Sequence, residues 1–177
     1  MSTEHSISCI SADSVMSHMP AEYEVVPIGI TQEGVWVEGV ANPAKGAELP
    51  VVKPGREVAL SLNPQRKGLL YDVTSGETIT TIDAVFPVLH GKYGEDGTVQ
   101  GLLELAGVPY VGPGVLASAC GMDKEYTKKL VAAVGIPVTR EVILDGAREL
   151  TEAERSHLGL PVFVKPANGG SSIGVSK

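Results

Sequence analysis

Apolar positions change their period along the chain, and the changes mark out its elements. Over residues 6–19 the side chains Ile7, Ile10, Val15 and Met19 recur at helical spacing, and Pro20 ends the run. Residues 23–31 (Y-E-V-V-P-I-G-I-T) predict a strand, Gly34 a turn, and residues 35–38 a second short strand. Residues 40–54, rich in Pro, Gly and Ala, predict a loop, with short strands after it over 57–62 and 68–73. The run I-D-A-V-F-P-V-L over 82–89 is almost continuously apolar, as expected of a strand covered on both faces. A helix follows over 98–106, with Val99, Leu102, Leu103 and Ala106 on one side and Gly107 placed to end it. Residues 108–111 predict another strand. The first part therefore alternates strand and helix, the pattern of an α/β fold with a parallel sheet.

Near Pro113 the pattern changes, which places a domain boundary near Gly112 and divides the chain into 1–112 and 113–177. Asp123 is an N-cap for a helix running to Val134, with Tyr126, Leu130 and Val134 at i, i+4 and i+8, and Gly135 stops it. Residues 136–144 predict a strand, and T-E-A-E over 151–154 is a capping box opening a short helix. Residues 161–165 predict a last strand, with Val162 and Val164 on one face and Phe163 and Lys165 on the other. No internal repeat or low-complexity segment interrupts this order.

Composition narrows the function classes. Of the 177 residues 43% are hydrophobic, enough to give one large or two small domains a packed core. The net charge of −7 and the lack of interleaved basic and aromatic residues argue against nucleic acid as a partner. The N-terminus shows neither a basic segment nor an apolar core of the secretory type. Residues 101–122 are fairly apolar but are broken by Glu104, Pro109, Pro113 and several glycines, so they do not read as a membrane span. The expectation is a soluble cytoplasmic protein. Cys9 and Cys120 lie in apolar surroundings and read as buried free thiols rather than a disulfide.

The chemistry concentrates at the C-terminal end of this sequence. The strand ending in Lys165 runs into a loop carrying Gly169, Gly170, Ser171, Ser172 and Gly174. Glycines let a backbone approach a ligand and aim several N–H groups at it, serines add donors, and a lysine adds a fixed charge. That set makes an anion site, suited to phosphate. A Walker loop is excluded, because Val175 stands where its lysine is required. A lone G-G-S-S is otherwise read as a surface hairpin beside a snorkelling lysine. G-P-G-V-L-A over 112–117 has a dinucleotide-type spacing, but Pro113 removes an N–H that a pyrophosphate would use.

Other positions carry weaker signals. His90 ends the apolar strand, the place where open parallel sheets bind ligands, and a histidine there needs a polar partner. Glu95 and Asp96 fit a solvated turn at a helix N-terminus. Lys124 stands in the first turn of its helix, where the dipole disfavours a cation by about 0.3–1 kcal/mol unless an anion is bound. Lys128 and Lys129 read as a solvated face, Glu4 alone as an exposed carboxylate, and His5 and Cys9 as structural.

The stretch K-P-A-N-G-G-S-S-I-G-V-S-K resembles the lysine strand and glycine-rich loop of ATP-grasp enzymes, and among them the D-alanine–D-alanine ligases. Three further blocks, in the same order, resemble that family: S-T-E-H-S-I-S, L-H-G-x-x-G-E-D-G-x-x-Q-G-L-L-E and S-A-C-G-M-D-K. The resemblance implies a Rossmann-like parallel-sheet domain followed by the first part of an ATP-grasp α+β domain. It implies ATP-dependent joining of two D-alanines for peptidoglycan, through an acyl phosphate, with Mg²⁺ or Mn²⁺ as metal. Lys124, Lys165, Gly169, Gly170, Ser171 and Ser172 would then meet the nucleotide phosphates. Glu4, tied to Ser171, would orient the first D-alanine, and His90 would line its pocket. A homodimer is also implied.

Two departures from the family pattern bear on these expectations. Family members open on a strand and a Gly-Gly turn ahead of the S-x-E block, where this sequence has Met1. Lys177 falls inside the ATP-grasp unit, ahead of the family's acidic metal ligands, its arginine and its second-substrate residues. The expectation is a ligase truncated at both ends, holding no metal ligand and not turning over alone. Another ATP-grasp carboxylate–amine ligase, a relative making a D-alanyl ester, or a non-catalytic nucleotide-binding fragment stays open as an alternative.

Overall fold

Helix α1, His5–Ser17, begins one residue from where the apolar spacing places it. It is the first element of the computed structural model, which describes residues 3–41 and 48–177. Part of the loop expected over 40–54 lies outside the described residues. The chain forms two compact units, Met1–Ser118 and Ala119–Lys177.

In the first unit, α1 buries Ser8 and Cys9 and leaves Ile7 and Ile10 exposed, the reverse of what its apolar spacing predicts. The reason is that Ser8 finds main-chain partners on the inner side. Strands β1 (Ile28–Ile30) and β2 (Trp36–Glu38) form an antiparallel hairpin. Its turn uses Gly34 at φ 94°, where a side chain is disfavoured, and the Thr31 hydroxyl accepts the Val35 N–H at 3.2 Å. Strands β3 (Val58–Leu60), β4 (Leu69–Asp72) and β5 (Thr78–Thr81) form a second antiparallel sheet in sequence order. A bridge between Val37 and Glu57 joins the two sheets. β5, T-I-T-T, was not expected, since its alternation is short and mostly polar.

The apolar run 82–89 differs from expectation. It forms no ladder of its own, and Phe86 is exposed. Its parallel character survives as one pair, Val85 with Tyr110, through Val85 N–H to Pro109 O at 2.8 Å and Val111 N–H to Val85 O at 2.9 Å. A covered parallel strand needs a hydrogen-bonded neighbour at each edge. Here one edge meets residues 109–111, and among the described residues no strand pairs with the other.

Helix α2, Thr98–Ala106, matches its expected span. Gly107 at φ 67° closes it: the Gly107 N–H reaches Glu104 O at 3.1 Å and the Val108 N–H reaches Leu103 O at 3.1 Å, the Schellman pattern. Val99, Leu103, Ala106 and Val108 are buried, as are Val37, Val58 and Leu70 of the sheets, and these make the core of the first unit. Burying a leucine side chain contributes roughly 1.5–3 kcal/mol, so this cluster dominates its stability.

In the second unit, α4 (Lys124–Ala133) starts at Asp123, whose carboxylate accepts the Tyr126 N–H at 3.1 Å. Gly135 ends it with the same two-bond closure, its N–H to Ala132 O and that of Ile136 to Val131 O, each at 3.0 Å. Helix α5 (Glu152–Leu158) carries the capping box of Thr151 and Glu154. Helix α3 (Val115–Met122) precedes α4; its first half, with the buried Ser118, belongs to the first unit, its sequence V-L-A-S-A-C-G-M has no helical stripe, and no helix was expected there. Residues 136–144 form no strand; Lys128 holds them to α4 through Thr139 O at 3.2 Å and Glu141 at 2.7 Å. Residues 161–165 form one bridge, Val164 with Ser176, in place of a full strand. Cys120 is half-buried rather than buried. Among the described residues of this unit none is buried, and the α4 stripe Tyr126, Leu130 and Val134 is exposed.

Candidate functional site

The expected site residues fall into two groups, one in each unit. The second unit holds Lys124, Lys165, Gly169, Gly170, Ser171 and Ser172, and these line one cavity of about 120 Å³. The bridge between Val164 and Ser176, with N–H···O bonds of 2.9 and 3.0 Å in both directions, pinches the chain below the loop. Helix α4 is fixed to the same loop. Asp123 pairs with Asn168, the Lys124 N–H reaches Ala167 O at 3.0 Å, and Lys124 Nζ donates to Gly169 O at 2.7 Å. That last bond shows how the cation is accommodated in the first turn of its helix: it turns to the glycine loop. Lys165 Nζ sits 5.9 Å from the Phe163 ring centre, as their shared strand face predicts.

The loop backbone is strained. Gly169 has φ 145°, a value suited to glycine, but Ser171 and Ser172 also have positive φ, 48° and 58°. Each non-glycine residue in that region costs of order 1–3 kcal/mol, and such residues gather at ligand clamps. Successive backbone N–H groups in a turn conformation form concavities that accept anions. The cavity is far smaller than the roughly 300–1,000 Å³ of a pocket for a whole ligand, so it suits a phosphate group rather than an entire nucleotide. A larger cavity, about 540 Å³, lies on the first unit beside Leu60, Arg66, Leu69 and Tyr71. Its lining offers one cation, Arg66, and no glycine-serine loop.

The first unit holds Glu4 and His90. Glu4 is the N-cap residue of α1, and its carbonyl accepts the Ser8 hydroxyl at 3.3 Å. His90 has the polar surroundings its position demands. Its main-chain N–H donates to Ser8 Oγ at 2.8 Å, Ser11 Oγ lies 2.9 Å from Nε2, and Glu95 Oε1 lies 3.9 Å from Nδ1. The turn after it is knitted by its own acids: Glu95 accepts the Gly91 N–H at 2.6 Å, and Asp96 accepts those of Tyr93 at 2.9 Å and Thr98 at 3.1 Å. Burial works to raise the Asp96 carboxyl, but the bonds from Tyr93 and Thr98 outweigh it and the net shift is downward. Gln100 is buried and donates to Gly94 O at 2.9 Å. Burial pushes the Cys9 thiol upward, which keeps it protonated and unreactive. Sequence reasoning missed Ser8, Ser11 and Gln100; the three-residue spacing in S-C-I-S was the available signal for the first two.

Among the described residues no group of three or more His, Cys, Asp or Glu is gathered to hold a metal ion, and no helix is long and apolar enough to cross a membrane. The family model described as D-ala D-ala ligase N-terminus matches residues 1–113. The chain belongs to the D-alanine–D-alanine ligase family. The family's C-terminal model matches residues 130–177. A D-alanine--D-alanine ligase of Corynebacterium diphtheriae is 58% identical over 99% of this chain and 49% of its own length. One of Rhodococcus erythropolis is 59% identical over 99% of this chain and 50% of its own. The chain thus spans about half the length of the curated relatives it matches. Among solved structures, the D-alanine-D-alanine ligase from Coxiella burnetii superposes with a TM-score of 0.77 at 30% identity, over 98% of this chain and 52% of that one. VanG D-Ala:D-Ser ligase from Enterococcus faecalis gives 0.75 at 35% identity, over 99% and 52%. The α/β ligase architecture is therefore the family's own.

Proposed function

We propose that this chain is the part of a D-alanine–D-alanine ligase that receives the nucleotide phosphates and the first D-alanine. The observation that carries the reading is the strained serine pair beside Lys124 and Lys165, in a chain of this family. In the proposed reaction a carboxylate oxygen of the first D-alanine attacks the γ-phosphorus of ATP, and ADP leaves. The amine of the second D-alanine attacks the resulting acyl phosphate, loses a proton, and inorganic phosphate leaves with the peptide bond formed. The product serves peptidoglycan synthesis.

In this reading Lys124 and Lys165 neutralise phosphate charge, and the N–H groups from Gly169 to Ser172 hold the transferred phosphoryl group. Such catalysis is mostly positioning and charge stabilisation. Glu4 orients the ammonium of the first D-alanine, a carboxylate–ammonium pairing of the strong, charge-assisted kind. His90 lines the substrate pocket. ATP comes with Mg²⁺ or Mn²⁺, but none of the described residues is assigned as a metal ligand. The proposal extends to a cytoplasmic setting, a homodimer and a domain boundary near Gly112. A second reading, a D-alanine ligase taking a different second substrate, is favoured by the likeness to the D-Ala:D-Ser enzyme.

The test is phosphate release from ATP, with Mg²⁺, by this chain extended to the length of its relatives. Release that requires D-alanine and is lost in Lys165→Ala and Glu4→Gln supports the proposal. Release that D-serine stimulates more strongly as second substrate supports the other reading. ATP binding without release, whatever the amine supplied, would sink both.

A further inference from the structure

Two hydroxyls on one face of α1 converge on a single histidine that lies 79 and 82 residues further along the chain. Ser8 and Ser11 are three residues apart, so they share a helix face. Ser8 Oγ accepts the His90 main-chain N–H at 2.8 Å, and its own proton goes to Glu4 O at 3.3 Å. One hydroxyl therefore touches the main chains of both residues assigned to the first D-alanine. Ser11 Oγ is 2.9 Å from His90 Nε2, hydrogen-bond length, whereas Glu95 Oε1 at 3.9 Å from Nδ1 is beyond it. Of these two ring contacts, Ser11 supplies the directional one. A histidine ring turns softly about its second side-chain torsion, so a hydrogen bond at one nitrogen decides its plane.

We propose that Ser8 and Ser11 are positioning residues for His90: Ser8 fixes the main chain at the end of the apolar run, and Ser11 fixes the imidazole plane in which His90 meets the first D-alanine. This rests on the reading of His90 as a pocket residue. Ser11 holds the plane whichever way the proton points, donating to a bare Nε2 or accepting from Nε2–H. A merely structural serine would contribute to folding and leave the ring of His90 unmoved when replaced.

The test uses the 177-residue chain labelled with ¹⁵N-histidine, with the His90 ring signals assigned by their loss in His90→Gln. In Ser11→Ala the His90 Nε2 signal is expected to move while those of His18 and His157 stay. The D-alanine concentration that half-saturates the His90 response is expected to rise about fivefold, the share of one ordinary hydrogen bond. Ser11→Thr, which keeps the hydroxyl, is expected to restore both. If Ser11→Ala does not fold, Ser11→Cys, of similar volume and with a weak donor, is read the same way. An unmoved Nε2 signal in the folded variant overturns the positioning role. A wild-type His90 signal that ignores D-alanine overturns the pocket reading and with it the purpose given to the pair. A response to D-alanine that survives Ser11→Ala unchanged overturns the positioning alone.

Discussion

Alanine at two glycines of the L-H-G…Q-G block is expected to act in opposite directions. A Cβ built on Gly94 would lie 2.4 Å from Leu89 Cβ and 2.5 Å from Leu89 O. Non-bonded carbons rest at about 3.5–4.0 Å, so the turn and the Leu89 main chain must part by about 1 Å. Overpacking of this kind costs about 1–3 kcal/mol. A Cβ on Gly101, inside α2, meets nothing within 4 Å. There alanine only relieves the glycine entropy, a gain of about 0.5–1 kcal/mol. For a chain of this length, 1 kcal/mol moves Tm by about 2–4 °C. Gly94→Ala should therefore lower Tm by about 2–12 °C and Gly101→Ala raise it by about 1–4 °C. The sole tryptophan, Trp36, lies in β2 of the first unit, so its fluorescence reports the unfolding that both glycines control. A Gly94→Ala variant as stable as wild type, or a destabilised Gly101→Ala, would refute the reasoning.

Three further outcomes are expected. Leu103, 1% exposed at the centre of the first core, should cost about 2–5 kcal/mol as Leu103→Ala, read from the urea midpoint at unchanged slope. The Arg56 guanidinium, 2.6 Å from Asp72, with N–H bonds from Ser75 and Thr74, holds the Asp72 carboxyl at about 2. Its contribution is complete above the ordinary carboxylate value of 3.8 and is lost as pH falls from there to about 2, so Asp72→Asn should flatten the acid limb of the stability curve. Amide exchange should be slow at Leu103 and Ala106 and fast along α4, whose residues are none of them buried; equal protection would contradict the picture of a core confined to the first unit.

What was legible in the sequence follows the range of the interactions. The ends of α2, α4 and α5 were readable because Gly107, Asp123, Gly135 and the Thr151–Glu154 box act on partners at most a few residues away. The runs 82–89 and 136–144 read as strands by composition, yet a strand exists only where another edge meets it, and each finds one pair or none. The proposed phosphate cradle was legible as chemistry, since Lys165 and its glycine-serine loop are contiguous. Lys124 was placed there by the resemblance, and its bond to Gly169, 45 residues away, supplies the geometry. Ser8 and Ser11 stayed hidden because their three-residue spacing marks a shared helix face but not a partner 79 and 82 residues away.

The claim on which the functional reading depends is that Lys124, Lys165 and the loop over 169–172 form a nucleotide-phosphate site. It is tested most directly by titrating ATP into the ¹⁵N-labelled 177-residue chain and following its amide signals. The largest shifts are expected at Gly169, Gly170, Ser171, Ser172 and Lys124. The affinity should fall at least about tenfold in Lys124→Ala or Lys165→Ala, since a hydrogen bond to a charged group contributes about 1.5–3 kcal/mol. Shifts centred instead on the larger cavity beside Arg66 and Tyr71, or an affinity that ignores both lysine substitutions, would contradict it.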